Sequence, residues 1–392
     1  MKLSIDVGGT FTDLVLVDEA TGKMHVDKVP STPGSGDAVL HGVARICSQA
    51  GVTPTQLDML FHGFTIATNA WLTRNGARVV LLVTDGFKDI LALGSQRRPA
   101  TYDLAAAKPE PLVPRSRVLE AIERVDAFGQ IVTPLSDEEE VRLLDAVASL
   151  EPEAIAVSFL FSWANPAHEE QLARALAGRF PDIPIYTSST LNPQVEEYPR
   201  ANTTTAAAYI GPPVRQYTRS LEASLAEAGI EAPLRYMRSD GGAATPASAR
   251  ENPANMLLSG PAGGVVAGLA LGAQLGVGNL VTFDMGGTSA DFAVIRDGEA
   301  GIGRSRDFDG LPLRVPMLDI KAISAGACGS RLGRRHSRPR LLRPGRAGCN
   351  AHRCCADARD VGCERIRRWR PNTGRVACPR GRTSQSRGTL VA

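Results

Sequence analysis

The chain has 392 residues, enough for two or three domains, with 43% hydrophobic and 5% aromatic residues, a composition typical of a folded water-soluble protein. An acidic residue at position 6 interrupts any N-terminal apolar signal, and no stretch reaches the roughly 18 apolar residues of a membrane helix. We therefore expect a cytoplasmic protein with no membrane partner.

The formal net charge of +3 conceals two different kinds of sequence. Residues 331–392 contain 17 Arg, no Lys and three acidic residues, whereas residues 1–330 carry an excess of acidic groups. Five of the seven cysteines also lie in this tail, at spacings that match no paired zinc-ligand pattern. A nucleic-acid-binding arm and a zinc module are two interpretations of it.

We favour a third interpretation, a frameshift near Ser330, because GC-rich DNA translated out of frame yields Arg, Pro, Gly, Ala and Cys with almost no Lys. Residues 331–392 are then an aberrant, disordered tail without a function. We expect no nucleic-acid partner.

Hydrophobic periodicity in residues 1–330 predicts alternating strands and helices, the pattern of an α/β fold. The long helix at 202–228 contains Gly211-Pro212-Pro213, which we expect to break or kink it. The predicted elements in chain order are a β-hairpin at 3–18, a helix at 35–50, strands at 59–61, 79–83 and 155–159, a helix at 168–178, a strand at 183–187, the long helix, a strand at 234–237, a helix at 260–275, and strands at 280–283 and 292–295.

Two turns of nearly identical sequence follow predicted strands. The first runs Asp6-Val7-Gly8-Gly9-Thr10-Phe11-Thr12-Asp13, and the second runs Asp284-Met285-Gly286-Gly287-Thr288-Ser289-Ala290-Asp291. A single Gly-Gly turn is weak evidence, because hairpins use glycine routinely. Two copies with the same spacing indicate internal duplication and favour a phosphate-binding site over a pair of structural turns.

Each residue type in the turn suits phosphate chemistry. Paired glycines let backbone N–H groups approach phosphate oxygens, and a Thr hydroxyl adds a donor. A leading Asp at a strand end can hold Mg²⁺ (or Mn²⁺), or orient an attacking water. We predict catalytic and metal-binding roles for Asp6 and Asp284, and cofactor-binding roles for Gly8, Gly9, Thr10, Thr12, Asp13, Gly286, Gly287, Thr288 and Asp291, with ATP as the cofactor.

Further segments resemble the hydantoinase A and 5-oxoprolinase family of the sugar kinase and actin superfamily. His62-Gly63-Phe64-Thr65-Ile66-Ala67-Thr68-Asn69-Ala70 is similar to that family's HGTTVATNA segment. The resemblance covers residues 1–328, and Cys328 stands where the family has Gly. Other similar segments are 84–89, 96–104, 197–204, 239–242, 258–264 and 315–320.

The resemblance implies duplicated actin-like (ribonuclease H-like) ATPase lobes, the second incomplete. The implied domains are an N-terminal actin-like lobe at 1–185, a truncated hydantoinase/oxoprolinase domain at 186–330, and the tail at 331–392.

The resemblance also implies an A-type subunit that phosphorylates the carbonyl oxygen of a small cyclic amide, hydantoin or 5-oxoproline. A B-type partner in a hetero-oligomer then opens the ring. Alternatives are a subunit of an acetone or acetophenone carboxylase, a sugar or acyl kinase, an actin-like nucleotide sensor, or an inactive truncated product.

Two groups outside the duplicated turns are candidate site residues. Gly260, Gly263 and Gly264 open a predicted helix, where free N–H groups bind anions, although small residues also serve close helix packing. A polar strip after a strand suits substrate contact, although a lone His is as often a structural residue. The predicted substrate residues are His62, Thr65, Thr68, Asn69 and Arg98.

Overall fold

A computed structural model describes residues 1–8, 11–31, 36–97, 102–103, 105–285 and 290–323. Residues 1–323 belong to one compact unit, and the account below concerns its described residues. None of the described helices is long and apolar enough to span a membrane.

Strands and helices alternate along most of this unit. The strands are β1 Lys2–Val7, β2 Phe11–Val17, β3 Met24–Pro30, β4 Met59–Phe64, β5 Val79–Thr84, β6 Val118–Ala121, β7 Arg124–Val125, β8 Ile131–Thr133, β9 Ala154–Ser158, β10 Ile185–Thr187, β11 Leu234–Met237, β12 Ala243–Ala244, β13 Leu280–Met285, β14 Ala290–Arg296, β15 Glu299–Ala300, β16 Ile302–Gly303, β17 Arg306–Phe308, β18 Leu311–Leu313, β19 Met317–Leu318 and β20 Ile320–Ile323. The helices are α1 Asp37–Ala50, α2 Ile66–Leu72, α3 Ile90–Leu93, α4 Asp137–Ser149, α5 Ala167–Arg179, α6 Ser188–Leu191, α7 Glu197–Glu227, α8 Pro246–Glu251 and α9 Ser259–Leu275.

The first sheet has the strand order β12-β11-β4-β1-β2-β3. β1 pairs antiparallel with β2, as a hairpin requires, and parallel with β4 on its other edge. β11 pairs parallel with β4, so the sheet takes strands from both sides of the boundary predicted at 185/186. That boundary stays a prediction of domain organisation.

The second sheet has the order β10-β9-β5-β6, and all its pairings are parallel. β5 and β9 are buried along their whole length. Burial on both faces explains why these two strands have continuous apolar runs instead of alternating patterns.

The third sheet repeats the hairpin of the first. β13 pairs antiparallel with β14, and the other edge of β14 pairs with β15 and β20. We call β1–β2 the first hairpin and β13–β14 the second hairpin. The fold is α/β, as the sequence predicts.

Helix α7 corrects part of one prediction, because Gly211-Pro212-Pro213 does not break it, and a kink there stays a prediction. A proline at position 213 cannot donate to the carbonyl of Tyr209, four residues earlier. The N–H of Ala77 donates to that carbonyl instead, at 2.8 Å. The helix is also buried over most of its first half, so tertiary contacts support the backbone where its own hydrogen bond is missing.

Candidate functional site

The first hairpin turns tightly between Val7 and Phe11. The N–H of Gly8 donates to the carbonyl of Phe11 at 3.0 Å, and a Cβ on Gly8 would lie 3.1 Å from that oxygen. Glycine therefore fits this close approach better than a larger residue. Gly9 and Thr10 lie outside the described residues.

Asp6 stands at the end of β1 against two glycines. Its Oδ1 atom would lie 3.1 Å from a Cβ on Gly63 and 3.8 Å from a Cβ on Gly260. The absence of side chains at both positions leaves room for the carboxylate and for a ligand beside it. Gly63 comes from β4 and Gly260 from the start of α9, so tertiary packing assembles this part of the site.

The charges of two other aspartates, one from each hairpin, act on Asp6. Asp13 lies opposite it in the β1–β2 register, and Lys28 of β3 forms an ion pair with Asp13 at 2.8 Å. Burial raises the pKa of Asp6, the charges of Asp13 and Asp284 raise it further, and Lys28 lowers it. The two hairpins therefore bring their leading aspartates within electrostatic reach of each other.

Asp291 is the second hairpin's counterpart of Asp13. Burial raises its pKa, and the charge of Asp284 adds to this effect against the opposing charge of Arg306. The predicted acidic residues of both turns thus form a connected set.

Helix α9 begins beside Asp6 without a side-chain cap. The preceding residue, Leu258, has a φ of 56°, and its N–H donates to the Oγ1 of Thr68 at 3.0 Å. The hydroxyl of Ser259 donates to the carbonyl of Phe64 at 3.1 Å. These two bonds fix the helix start against β4 and α2. Its uncapped N–H groups and the positive end of its dipole suit an anion.

A cavity of about 370 Å³ lies between the first hairpin and α9. Five predicted site residues outside the polar strip line it: Asp6, Asp13, Gly260, Gly263 and Gly264. Farther along α9, a Cβ on Gly268 would lie 2.4 Å from the Cγ2 of Thr282. The small residues of α9 therefore have both suggested uses, since one turn lines the cavity and another packs closely on β13.

His62 lines the inner end of the cavity but is 1% exposed. Its Nε2 is hydrogen-bonded to the hydroxyl of Tyr217 at 2.7 Å and its Nδ1 lies 3.3 Å from the carbonyl of Ile5. Burial lowers the pKa of His62 to about 4, so the ring is neutral at pH 7. With both nitrogens engaged, the geometry favours the structural alternative, and substrate contact by His62 stays a prediction.

The remaining polar strip lies around the start of α9. Asn69 donates to the Oγ1 of Thr65 at 3.1 Å, and the Cγ2 of Thr65 would lie 3.9 Å from a Cβ on Gly260. Thr65 therefore lies near Gly260, which lines the cavity, and Asn69 is bonded to Thr65, but neither is among the residues that line the cavity. Thr68 instead holds Leu258, which gives it a positioning role.

Other predicted residues are less accessible or lie outside the description. The hydroxyl of Thr12 is buried and hydrogen-bonded to that of Ser31 at 2.9 Å, which leaves it poorly placed for phosphate. Residues outside the description are Gly286, Gly287, Thr288 and Arg98.

Sequence reasoning missed Lys28 and Tyr217. β3 was not predicted, so nothing placed Lys28 beside Asp13. Tyr217 is 155 residues from His62 and has no local signal.

Binding of Mg²⁺ beside Asp6 and Asp284 stays a prediction, with which the acidic residues around Asp6 are compatible. Repulsion among Asp6, Asp13 and Asp284 favours a cation beside them, and Lys28 neutralises only part of the charge. Among the described side chains, no group of three or more His, Cys, Asp or Glu could hold a metal by itself. Mg²⁺ commonly uses one or two carboxylates together with waters and phosphate oxygens. Asp6 and Asp284 are the residues that would hold it.

Comparisons with known proteins match nearly the whole described chain. The model of the hydantoinase/oxoprolinase N-terminal region matches residues 2–179, and the hydantoinase/oxoprolinase model matches residues 200–360. The second match extends past Ser330, where the frameshift was predicted. The relatives described below match 82–85% of the chain. The frameshift therefore stays a prediction.

Two curated relatives represent different members of this group. The caprolactamase subunit alpha of Pseudomonas jessenii is 34% identical over 83% of this chain and 48% of its own length. The 5-oxoprolinase 1 of Arabidopsis thaliana is 32% identical over 85% of this chain and 28% of its own length. The chain thus spans half or less of the length of these relatives.

Solved structures agree with the sequence matches. The ATP-dependent caprolactamase of Pseudomonas jessenii superposes with a TM-score of 0.74 at 33% identity, covering 82% of this chain and 48% of that one. A nucleotide-free acetone carboxylase superposes with a TM-score of 0.76 at 28% identity, covering 83% and 48%. The matches in sequence and in structure agree, and the chain belongs to the hydantoinase/oxoprolinase family.

Proposed function

We propose that this chain is the ATP-using part of an enzyme that hydrolyses a cyclic amide of the hydantoin or 5-oxoproline type. The observation that carries the proposal is the cavity in which Asp6 and the uncapped start of α9 face the same space. A carboxylate for a hydrated cation and N–H groups for an anion are the two elements that a metal–nucleotide complex requires.

The proposed reaction moves the γ-phosphoryl group of ATP to the lactam carbonyl oxygen, which releases ADP. One water adds to the phosphorylated amide carbon and the C–N bond breaks, which gives an acyl phosphate and a free amine. A second water hydrolyses the acyl phosphate and releases phosphate. Lactam, ATP and two waters thus become an open-chain amino acid (an N-carbamoyl amino acid from a hydantoin), ADP and phosphate. Mg²⁺ supplies neutralisation of phosphate charge when it is bound.

The residues of this chain position the phosphates. The N–H groups at the start of α9 bind phosphate oxygens, and Thr68 and Ser259 hold that helix end in place. Asp6 and Asp284 would hold the cation when it is bound. Lys28 pairs with Asp13, which offsets part of the negative charge beside the phosphates.

Ring opening is assigned to a B-type partner, and the active form is a hetero-oligomer. Several relatives carry subunit names, including caprolactamase subunit alpha and acetophenone carboxylase gamma subunit. This chain matches about half of either protein's length.

The test is binding of Mg–ATP by the purified chain, measured by titration calorimetry. Asp6→Asn is expected to weaken binding about 10- to 100-fold, because it removes one charged contact. Asp145→Asn, at an exposed position on α4, is the matched control and leaves affinity unchanged. Absence of binding by the unaltered chain contradicts the proposal and supports the inactive-product alternative.

Phosphate release with added compounds distinguishes the substrate classes. Stimulation of ATP hydrolysis by 5-oxoproline or hydantoin, in the presence of a B-type subunit, supports the cyclic-amide assignment. The TM-score of 0.76 with acetone carboxylase makes ketone phosphorylation the second candidate. Stimulation by acetone or acetophenone with bicarbonate, and not by cyclic amides, establishes that candidate instead. Binding of ATP without stimulation by either class favours the nucleotide-sensor alternative.

A further inference from the structure

The two hairpins have the same register. In each, two cross-strand pairs of apolar residues lie on one face, at equal distances from the leading aspartate. The pairs are Leu3–Leu16 and Ile5–Leu14 in the first hairpin, and Val281–Val294 and Phe283–Phe292 in the second. We call the second set the open face.

The two faces differ sharply in burial. Leu16 and its three companions in the first hairpin are at most 3% exposed. In the open face, Val281 is 58% exposed, Phe283 65% and Val294 43%. An apolar face of this kind marks an interaction surface when it is contiguous.

Different helices cover the two hairpins. Helix α1 lies on the first hairpin so closely that a Cβ on Gly42 would come within 2.8 Å of the Leu14 side chain. Helix α9 instead packs on the opposite face of the second hairpin, against Thr282 and the buried Ile295. Within the described residues, the open face has no counterpart of α1.

The edge of the second hairpin differs in the same way. β1 pairs parallel with β4, whereas the corresponding edge of β13 carries no strand among the described residues. In the first sheet the covering helix and the edge strand are consecutive, at Asp37–Ala50 and Met59–Phe64. One helix–strand unit would therefore complete both the face and the edge.

The sequence after β20 does not have the composition of α1. Helix α1 begins seven positions after the end of β3, and the same offset from Ile323 leads to residues 330–343. That stretch contains six Arg and Pro339, and its apolar residues are only Leu332, Leu341 and Leu342. α1 instead buries Val39, Val43, Ile46 and Cys47 at helical spacing.

We propose that the open face and the free edge of β13 form a docking surface for a separate polypeptide segment, an amphipathic helix followed by a strand. The strand adds to β13 in parallel, as β4 adds to β1. This surface concerns assembly and does not depend on which substrate is used.

Charge at the rim defines the helix further. In the first sheet, Asp27 lies opposite Leu14 and forms an ion pair with Arg45 of α1. Lys321 lies at the corresponding place, opposite Phe292, is 61% exposed and forms an exposed ion pair with Asp319 at 2.9 Å. The docking helix is expected to carry an acidic residue where α1 carries Arg45, so that Lys321 is shared between that residue and Asp319. A groove of about 500 Å³ over this face, lined by Val294, Phe292 and Lys321 among others, offers the space.

The experiment co-expresses the full chain with the part of Pseudomonas jessenii caprolactamase subunit alpha that lies outside its match with this chain. Size-exclusion chromatography with light scattering is expected to show a 1:1 complex. Phe283→Glu weakens it at least about 30-fold, because a charge would be buried without a partner. Lys321→Glu weakens it about threefold to tenfold through lost charge complementarity.

Phe128→Glu is the matched control, since Phe128 is an 89% exposed aromatic residue in another part of the unit. It leaves the complex intact, and thermal melts of all three variants confirm that they fold. Absence of a complex overturns the proposal, as does equal loss with Phe128→Glu. Self-association of the chain that Phe283→Glu abolishes also overturns it, because the occupant is then a second copy.

Discussion

The first and second hairpins have nearly the same local sequence and pairing but occupy different environments. The first is a central part of a six-stranded sheet, with α1 on one face and β4 at its edge. Within the described residues, the second pairs with β15 and β20 on one side only, and α9 covers only one of its faces. The duplicated motif therefore fixes the hydrogen-bond register of the hairpin. The neighbouring elements decide which of its apolar residues are buried and so contribute to stability.

The largest expected effect compares corresponding core positions of the two hairpins. Leu16→Ala is expected to lower the free energy of unfolding by about 2–5 kcal/mol, because it leaves a cavity in a closed core. Val294→Ala, at the corresponding exposed position, lowers it by less than about 1 kcal/mol. Urea unfolding of both variants measures the difference. Similar losses for the two would show that the open face is covered in solution.

A smaller effect follows from His62, which lies on β4. Strand β4 pairs with the first hairpin and has no described counterpart beside β13. The pKa of His62 is lowered to about 4 from an ordinary 6.5, so below pH 6.5 the unfolded chain binds a proton that the folded chain does not. Stability therefore falls as pH is lowered, by about 2 kcal/mol between pH 7 and pH 5.

His62→Gln is expected to remove this part of the pH dependence in urea unfolding at the two pH values. His41→Gln, at an exposed position on α1, retains it. An unchanged pH dependence in His62→Gln would show that the imidazole is not buried in its neutral form.

The smallest expected effect compares the two leading aspartates. Asp6→Asn raises the free energy of unfolding at pH 7, because burial and the charges of Asp13 and Asp284 disfavour its carboxylate. Asp284→Asn, at an exposed position, changes stability by less than about 0.5 kcal/mol. Thermal melts in the absence of nucleotide measure both. A lower melting temperature for Asp6→Asn would contradict the view that burial and neighbouring charges disfavour the ionised form of Asp6.

Much of the secondary structure was predictable because the apolar periods are strong. The continuous runs at β5 and β9 and the duplicated hairpins were found with nearly their observed bounds. The long helix was predicted to break or kink at its prolines. The sequence could not show that it continues, because the Ala77 N–H that donates to the free carbonyl comes from a distant loop. β3 was missed, and with it Lys28, because its apolar alternation is weak and four of its seven residues are exposed.

Part of the candidate site was also predictable. Asp6, Asp13 and the glycines of α9 line one cavity, as the motifs suggested without specifying the geometry. His62 was interpreted first as a substrate residue, although Tyr217 and Ile5 engage both of its nitrogens. A sequence cannot distinguish a buried, paired histidine from an exposed one when the partner is 155 residues away.

The sequence by itself determined the α/β class, the duplication of the Asp-x-Gly-Gly-Thr turn and the residue types suited to phosphate. These follow from short-range periodicity and from the chemistry of single side chains. Tertiary structure decided that Asp6 faces Gly63 and Gly260, and that one hairpin is enclosed while the other has an open face. The physical reason is that burial and cavity shape depend on contacts between segments far apart in the chain, which local sequence does not encode.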